Sequence, residues 1–467
     1  MTKGDRIATD KTGSPVQYKS LYVADDKIYT RKITGFYQRI RRYTGIPLLA
    51  GFFLCPWLIL DGRQAILFDL PARKFHVFWL TFWPQDGMYL AWLLIISAFL
   101  LFTVTTLVGR VYCGFSCPQT VWTQIFIWVE NHIQGDRNQR IKLDGQPWNL
   151  NKIIKKGSTF FVWFSIALVT ALTFVGYFVP IKELLMGFVH FSVHPVAAFW
   201  TGFFTVATFL NAGFMREQVC KYMCPYARFQ SVMYDKNTLA VRYDPVRGEN
   251  RGPRKPNEDY KAKGLGDCTD CSWCVQVCPV DIDIREGTQY ECIDCGLCVD
   301  ACNSVMDKMG YERGLIRFTT QDSIEGAETN IFRPRLMGYA IALLTMISLF
   351  SYSIAHRVPI GIDVLRDRGV KLYRVRGSSI ENVYSVKLSN KDRDGHQYEL
   401  NLAGVAEYKL LGAKNIYLEE GEVLTLPIRL SIAKDHLKSS NIPVTFVIQA
   451  LDNPKMNATQ EARFISP

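Results

Sequence analysis

Eight cysteines near the middle of the chain fall in two copies of one pattern, and no other feature limits the fold as much. Cys268, Cys271, Cys274 and Cys278 are separated by two, two and three residues, and Cys292, Cys295, Cys298 and Cys302 repeat that spacing. Thiolates this close in sequence suit a four-iron cubane. The first three cysteines of each run hold three irons of one cluster, and the fourth crosses to the other. Cys268, Cys271, Cys274 and Cys302 are therefore expected to hold one [4Fe–4S] cluster, and Cys292, Cys295, Cys298 and Cys278 the second. Zinc sites usually separate their C-x-x-C pairs more widely, and disulfides do not suit an interleaved run. Pro279 follows Cys278 as the pattern expects, whereas Asn303 follows Cys302.

A chain of 467 residues has room for several domains. Apolar runs alternate with polar stretches, and about 20 apolar residues suffice to span a bilayer. Residues 88–108, 157–180, 196–214 and 336–355 meet that criterion. Residues 43–60 form a shorter run with Pro47 and Pro56 inside it, which brings the expected count to about five spans. Residues 64–83 are rich in Phe and Trp but contain Asp69, Arg73 and Lys74, and they read as an interfacial segment.

Lys and Arg set the orientation. Residues 1–42 hold ten of them and 134–156 six, against three in 61–87 and one in 181–195. The N-terminus and the cysteine-rich region are thus expected in the cytoplasm, and the C-terminal region outside, in the periplasm of a Gram-negative cell. The net charge of +11 follows largely from this arrangement and does not call for a nucleic-acid partner. The first 42 residues are too polar for a cleavable signal peptide.

The expected organisation is a multi-domain membrane protein. A basic cytoplasmic tail (1–42) leads into a helical four-span bundle (43–224). An inserted domain like the bacterial two-[4Fe–4S] ferredoxins (225–335) follows, then a fifth helix (336–356). Residues 357–467 change character. Alternating runs at 382–388, 397–402, 423–430 and 444–450 are separated by turn signals, which suits an all-β, immunoglobulin-like sandwich without its cysteine pair. Twelve of the thirteen cysteines, all but Cys55, lie in cytoplasmic or inner-face segments, which favours metal ligands or redox thiols over disulfides.

A second cysteine pattern closes two of the spans. Cys113 and Cys117 stand in Gly-Arg-Val-Tyr-Cys-Gly-Phe-Ser-Cys-Pro, ending at Pro118, and Cys220 and Cys224 in Arg-Glu-Gln-Val-Cys-Lys-Tyr-Met-Cys-Pro, ending at Pro225. Proline favours the first position of a helix and disfavours helical geometry in the residue before it. Cys117 and Cys224 are therefore expected to cap helices, where the dipole lowers a thiol's pKa. Four such sulfurs at one membrane face would form a soft site suited to Cu(I), iron or zinc. Two buried cysteine pairs with packing roles are the plainer reading.

Other candidates are weaker. His190 and His194 are four apart and would share a helix face before Pro195, but such pairs are more often interfacial. Cys55 suits an apolar packing role. His356, His396, His436 and Met456 are conceivable copper ligands, yet as isolated residues they are more often plain surface. The chain carries no C-x-x-C-H haem motif, no G-x-G-x-x-G and no phosphate loop, so it is not expected to take hydride from NADH or to hydrolyse ATP.

Several further motifs carry a resemblance over nearly the whole chain. They are Gly62-Arg-Gln-Ala65, Phe82-Trp-Pro-Gln-Asp86, the run from Arg110 to Gln119, the run from Arg216 to Gln230, Arg247-Gly-Glu-Asn-Arg-Gly252 and Asp363-Val-Leu-Arg-Asp-Arg368. Together with the paired cysteine runs they resemble the FixG/RdxA (CcoG) family of cytochrome c oxidase accessory proteins. The resemblance implies a bacterial inner-membrane protein that reduces Cu(II) to Cu(I) for a cbb-type oxidase, with copper meeting the electron at or near Cys113, Cys117, Cys220 and Cys224. It implies a cytoplasmic electron donor, and oxidase assembly factors or a copper chaperone or transporter as partners. A homodimer is compatible with the sequence. Two other functions fit the same residues: a quinol-linked membrane conduit to a respiratory partner, and a non-redox assembly scaffold with structural clusters.

Overall fold

The computed structural model describes residues 27–60, 62–255, 258–366, 373–392, 394–403, 408–433, 440–454 and 456–466, together with the backbone of a short strand pair at Ala8–Thr9 and Pro15–Val16. The chain divides into two compact units. The first comprises Met1–Pro56, Ala98–Gly176 and Pro180–Ala340, and the second Trp57–Ser97, Tyr177–Val179 and Ile341–Pro467.

Among the described residues four helices are long and apolar enough to cross a membrane: Gly87–Val108, Leu150–Val175, Pro195–Met215 and Pro334–Ala355. They correspond to the four clear apolar runs. The fifth run behaves differently. Helix α1 (Phe36–Leu54) begins seven residues earlier than that run, inside the basic segment, and carries Arg39, Arg41 and Arg42 in its first half. It ends at Leu54 in a 3-10 turn over Cys55–Trp57, so it is not among the four.

Helix α2 (Gly87–Val108), whose second half belongs to the first unit, ends at Gly109 and is followed by α3 (Val111–Phe115) and α4 (Pro118–Ile133). Helices α5 (Arg137–Gly145) and α6 (Leu150–Val175) complete this half. Trp163 of α6 stacks on Phe126 of α4 at 5.2 Å, and its indole N–H donates to the Phe126 carbonyl at 3.1 Å. Helix α7 (Ile181–Val189) and helix α8 (Pro195–Leu210) are separated by a break with Phe191 at φ +53°. His190 therefore lies past the end of α7, and His194 caps α8, its Nδ1 accepting from the Val196 N–H at 3.3 Å. The shared helix face expected for these two histidines does not form, because Pro195 starts a new helix.

Helix α8 runs into a π-helical turn at Asn211–Met215, and a second π turn at Val219–Met223 precedes α9 (Pro225–Met233). Between them Arg216 is left-handed at φ +38°. Burial and charge hold it there. Arg216 pairs with Glu130 at 2.8 Å, its Nε donates to the Gly213 carbonyl at 2.9 Å, and Gln119 donates to both the Asn211 and Arg216 carbonyls at 3.1 Å. Arg140 takes the other Glu130 oxygen at 2.8 Å. A buried carboxylate needs such partners, since an unpaired charge here would be strongly destabilising.

The paired cysteine runs lie in the same unit, beside an antiparallel strand pair, Ala240–Tyr243 with Ile316–Thr319, and the helix Leu297–Met309. Asp300 of that helix accepts the Tyr37 and Gln38 N–H groups at 3.2 and 2.8 Å, so it satisfies two of the free donors at the start of α1.

The second unit holds the C-terminal sandwich. One sheet orders Ile360–Arg366, Ser379–Asn390, Val423–Ala433 and Lys409–Leu411, and the facing sheet Asn415–Leu418, His396–Ala403, Asn441–Ala450 and Asn457–Ile465. Alternate residues of both sheets fill the core, among them Tyr384, Val386, Leu388, Leu400, Phe446 and Phe464. The Phe- and Trp-rich run expected as an interfacial segment is here a three-stranded antiparallel sheet, Ile66–Asp69, Lys74–Val77 and Leu80–Phe82. Asp86, which follows it, pairs with Arg357 at 2.5 Å and Lys391 at 3.0 Å.

Candidate functional site

The eight paired-run cysteines line two cavities in the interleaved order. Cys268, Cys271, Cys274 and Cys302 surround one, with Met306, Leu315 and Ile316 in its wall. Cys278, Cys292, Cys295 and Cys298 surround the other, with Val241, Ile282 and Ile284. Cys274 lines both. Four thiols around each apolar cavity are the donor set of a [4Fe–4S] cubane, and these residues fit two such groups. Burial pushes the Cys274, Cys278 and Cys302 thiols up to about 12. Thiolates in these positions call for a compensating metal charge.

The two loops share a backbone form. The second residue after the first cysteine is left-handed in both, Asp270 at φ +52° and Asp294 at φ +48°. The fourth is left-handed as well, Ser272 at φ +55° and Gly296 at φ +72°. The second run needs glycine there for a further reason: a Cβ on Gly296 would lie 2.5 Å from the Tyr37 ring.

The Cys113 motif is built directly onto the second loop. A Cβ on Gly114 would come within 2.6 Å of the Ile293 carbonyl and 2.9 Å of the Cys295 Cα, so only glycine permits the approach. Arg41 Nε donates to the Gly114 carbonyl at 3.1 Å and Thr44 Oγ1 to that of Phe115 at 3.0 Å. Asp294 ties the pieces together. One of its oxygens accepts the Arg110 N–H at 2.9 Å and the Tyr234 hydroxyl at 2.6 Å, and the other accepts the Val241 N–H at 3.0 Å. The Arg110 side chain donates to the carbonyls of Tyr290, Cys292 and Ala227.

Cys113 packs against the apolar core formed by Val277, Val280, Ile293, Cys295 and Leu297, and its thiol donates to Gln230 Oε1 at 3.3 Å. The two C-x-x-x-C-P motifs meet. Burial, then the nearby Cys117, push Cys113 up to about 12, with Cys220 and Cys224 adding to the rise, and burial and Cys117 push Cys220 up to about 11. Cys117 and Cys224 occupy the cap positions before α4 and α9, as the prolines imply. Among the described residues no three His, Cys, Asp or Glu side chains converge on one ion.

The remaining candidates are scattered. Met456 is in the sandwich core, His356 stacks on Tyr352 at 4.1 Å, His396 sits between Asp452 and Asp392, and Cys55 is half-buried in its 3-10 turn. His436 lies outside the described residues. Sequence reasoning missed Asp294, Gln230 and the role of Gly114. Arg110 and Gln230 lay within motifs singled out above, but nothing in the sequence paired them with their partners.

The fold and site together define a class: a membrane-helix protein that carries a two-cluster iron–sulfur domain and an immunoglobulin-like domain. The domain families agree. Residues 215–321 match the 4Fe-4S dicluster domain, 90–135 a 4Fe-4S binding domain, and 350–467 the Ig-like fold at the C-terminal of FixG. The chain is 36% identical over 422 residues to the nitrogen fixation protein FixG of Rhizobium meliloti, covering 82% of this chain and 80% of that one. It is 37% identical to RdxB of Cereibacter sphaeroides (85% and 86% covered) and 37% identical to RdxA of that organism (83% and 84%). A crystal structure of a FixG-related protein from Vibrio parahaemolyticus matches at 36% identity and a TM-score of 0.22, over 23% of this chain and 95% of its own. The chain belongs to the FixG/RdxA family.

Proposed function

We propose that this iron–sulfur membrane protein reduces Cu(II) to Cu(I) during assembly of a cbb-type cytochrome c oxidase. The observation that carries the reading is the packing of Cys113 against Ile293 and Cys295, in the wall of the second thiol cavity. Bound [4Fe–4S] clusters supply one-electron chemistry at a potential set by hydrogen bonds and exposure. The chain's own part is to hold Cys113 against the wall of that cavity. Arg110, Asp294 and Gln230 fix Cys113 there. Cu(II), the substrate, takes one electron and becomes Cu(I), which soft sulfur ligands favour. The thiols need not form a closed site before copper arrives, since a substrate must also leave.

On this reading the protein lies in the bacterial inner membrane with the paired runs in the cytoplasm and the sandwich outside, an orientation supported by the basic residues of 1–42 and 134–156. Its partners are a reductant, a copper chaperone or transporter, and oxidase assembly factors. The test uses anaerobically purified, dithionite-reduced protein, with Cu(I) trapped by a bathocuproine chelator. Cys117 and Cys224 are the residues to change, because Cys113 is part of the second cavity's packing. The double variant Cys117→Ala, Cys224→Ala should keep its iron and sulfide and lose most Cu(II) reduction. Wild-type rates in that variant would show that copper meets the electron elsewhere.

A further inference from the structure

Three arginines stand in the first half of α1, and only one of them is buried. Arg39 and Arg42 are exposed, whereas Arg41 is 5% exposed. A guanidinium stays charged at any working pH, and burying one is costly unless an anion compensates it. Among the described residues no carboxylate pairs with Arg41. Its Nε donates to the neutral Gly114 carbonyl at 3.1 Å. Its anions are sulfurs instead. Burial lowers its pKa, and the charges that oppose burial are those of Cys295 and Cys278. The packing agrees. Gly114, which Arg41 holds, lies against the Cys295 Cα, and Arg41 lines one cavity with Pro279, next to Cys278, and Ile293, next to Cys292.

The other charges around the two iron–sulfur groups are matched. Beside the second group, the Asp294 carboxylate accepts the Arg110 amide, and the buried Arg110 guanidinium donates to the Cys292 carbonyl. Asp300 faces the start of α1, where the Tyr37 and Gln38 N–H groups and the positive end of the helix take up its charge. Beside the first group, Arg285 lines the cavity but pairs with Asp283 at 2.6 Å and Asp270 at 2.5 Å. Arg247 pairs with Asp267, next to Cys268, at 2.5 Å. Arg31 and the exposed Lys308 sit over the Trp273 ring at 3.8 and 4.7 Å, and that ring packs against the surroundings of both groups, so they favour neither. Among the described residues Arg41 is thus the buried charge left over, and it lies on one side of the pair.

We propose that Arg41 ranks the two iron–sulfur groups: its charge makes the one held by Cys278, Cys292, Cys295 and Cys298 the stronger electron acceptor. Such a group gains one negative charge on reduction, and its potential follows local charge and solvent exposure. Exposure alone sets the opposite order. Cys271 of the first group is exposed, while none of the second four is, and burial disfavours added charge. Arg41 offsets that burial. An electron on the group beside Cys271 therefore leaves it, oxidising it by one, and settles on the group beside Cys113, reducing that by one. No bond breaks and no proton moves, because arginine stays protonated throughout. The inference needs the iron–sulfur groups but not copper, so a failure of the copper reading leaves it standing.

The test is an EPR-monitored redox titration of anaerobic holoprotein in detergent. The signal missing in Cys278→Ser identifies the second group. In the wild type that signal should appear at the higher potential. In Arg41→Gln the ratio of reduced to oxidised second group at a fixed potential should fall about tenfold, ~59 mV for one electron, while the midpoint of the first group stays. Arg41→Lys, which keeps the charge, should restore most of the loss. Two controls separate charge from structure. Thr44→Val removes the bond from Thr44 Oγ1 to the Phe115 carbonyl, in the same turn, without changing charge. Arg42→Gln removes an exposed charge next door. Both should leave the order intact. Iron and sulfide analysis shows that each variant is loaded. The wild-type order needs no variant: reduction of the first group before the second would overturn the proposal by itself, whether or not Arg41→Gln loads. An unmoved midpoint in loaded Arg41→Gln, an equal shift of both groups, or the same shift in Thr44→Val would overturn it as well.

Discussion

Asp294 gives the most direct test of how the membrane-face turn is joined to the cysteine loops. It is 2% exposed and accepts three hydrogen bonds, from the Arg110 N–H, the Tyr234 hydroxyl and the Val241 N–H. In Asp294→Ala all three donors are left buried without a partner. Each orphaned donor costs about 1–3 kcal/mol, so the segment as a whole loses roughly 3–9 kcal/mol. The amides of Arg110 and Val241 each report their own share. At ~1.4 kcal/mol per tenfold, their hydrogen exchange should quicken by about 10- to 100-fold. Strand Asn441–Ala450, in the other unit, should keep its rates. Asp294→Asn is the sharper probe. Its remaining oxygen can keep Arg110 and Tyr234, but the new amide N–H faces the Val241 N–H, so Val241 should lose protection while Arg110 retains it. Hydrogen exchange with mass spectrometry on the detergent-solubilised holoprotein reads both. Unchanged exchange at Arg110 in Asp294→Ala, with iron content intact, would refute the view that this carboxylate holds the turn.

Three further outcomes are expected. Cys278→Ser should remove the EPR signal of the group held by Cys292, Cys295 and Cys298 and spare the one held by its own sequence neighbours; the opposite loss would reverse the assignment. A reporter active only in the cytoplasm should work when fused near residue 310 and be silent after residue 370, and the converse would overturn the orientation. Partial burial lowers the pKa of His396, but hydrogen bonds to Asp452 at 2.5 Å and Asp392 at 3.1 Å outweigh it, so the folded value lies above the ordinary 6.5. That stabilisation is complete below the unfolded pKa and is lost as pH rises through the folded one. Protection of strand His396–Ala403 should therefore fall as pH rises above about 6.5, and His396→Gln should abolish the dependence; a pH-independent wild type would count against the pairing.

What the sequence disclosed was whatever is written in spacing. The interleaved cysteine runs, the four long apolar helices, the caps at Cys117 and Cys224 and the period-two strands of the sandwich all rest on contacts or dihedrals a few residues apart. The losses have a common cause in long-range partners. Helix α1 starts at Phe36 because Asp300, far along the chain, takes the Tyr37 and Gln38 amides, and a hydropathy window sees only the three arginines that follow. Residues 64–83 carry the Phe and Trp that suit a membrane surface, but the strand pairing that orders them, around a turn with Arg73 at φ +56°, is not written in that composition. His190 and His194 were placed on one face by counting, although Pro195 had already announced a new helix. The convergence of the two C-x-x-x-C-P motifs was open in the sequence, because the contacts that join them, such as that of Cys113 with Gln230, cross 117 residues.

The bond from Arg110 to Asp294 crosses 184 residues. At a synthesis rate of about 5–20 residues per second, the ribosome takes roughly 10 to 40 s to make the second partner after the first. Throughout that interval the end of α2 has been delivered while the carboxylate it needs does not yet exist. The buried guanidinium of Arg110 likewise waits for the Tyr290 and Cys292 carbonyls, and the thiol of Cys113 for Gln230. The turn that carries Cys113 is thus completed only after the second cysteine loop has emerged. A nascent chain stalled before residue 290 would hold the Cys113 turn without Asp294 or the second cysteine loop against which it packs.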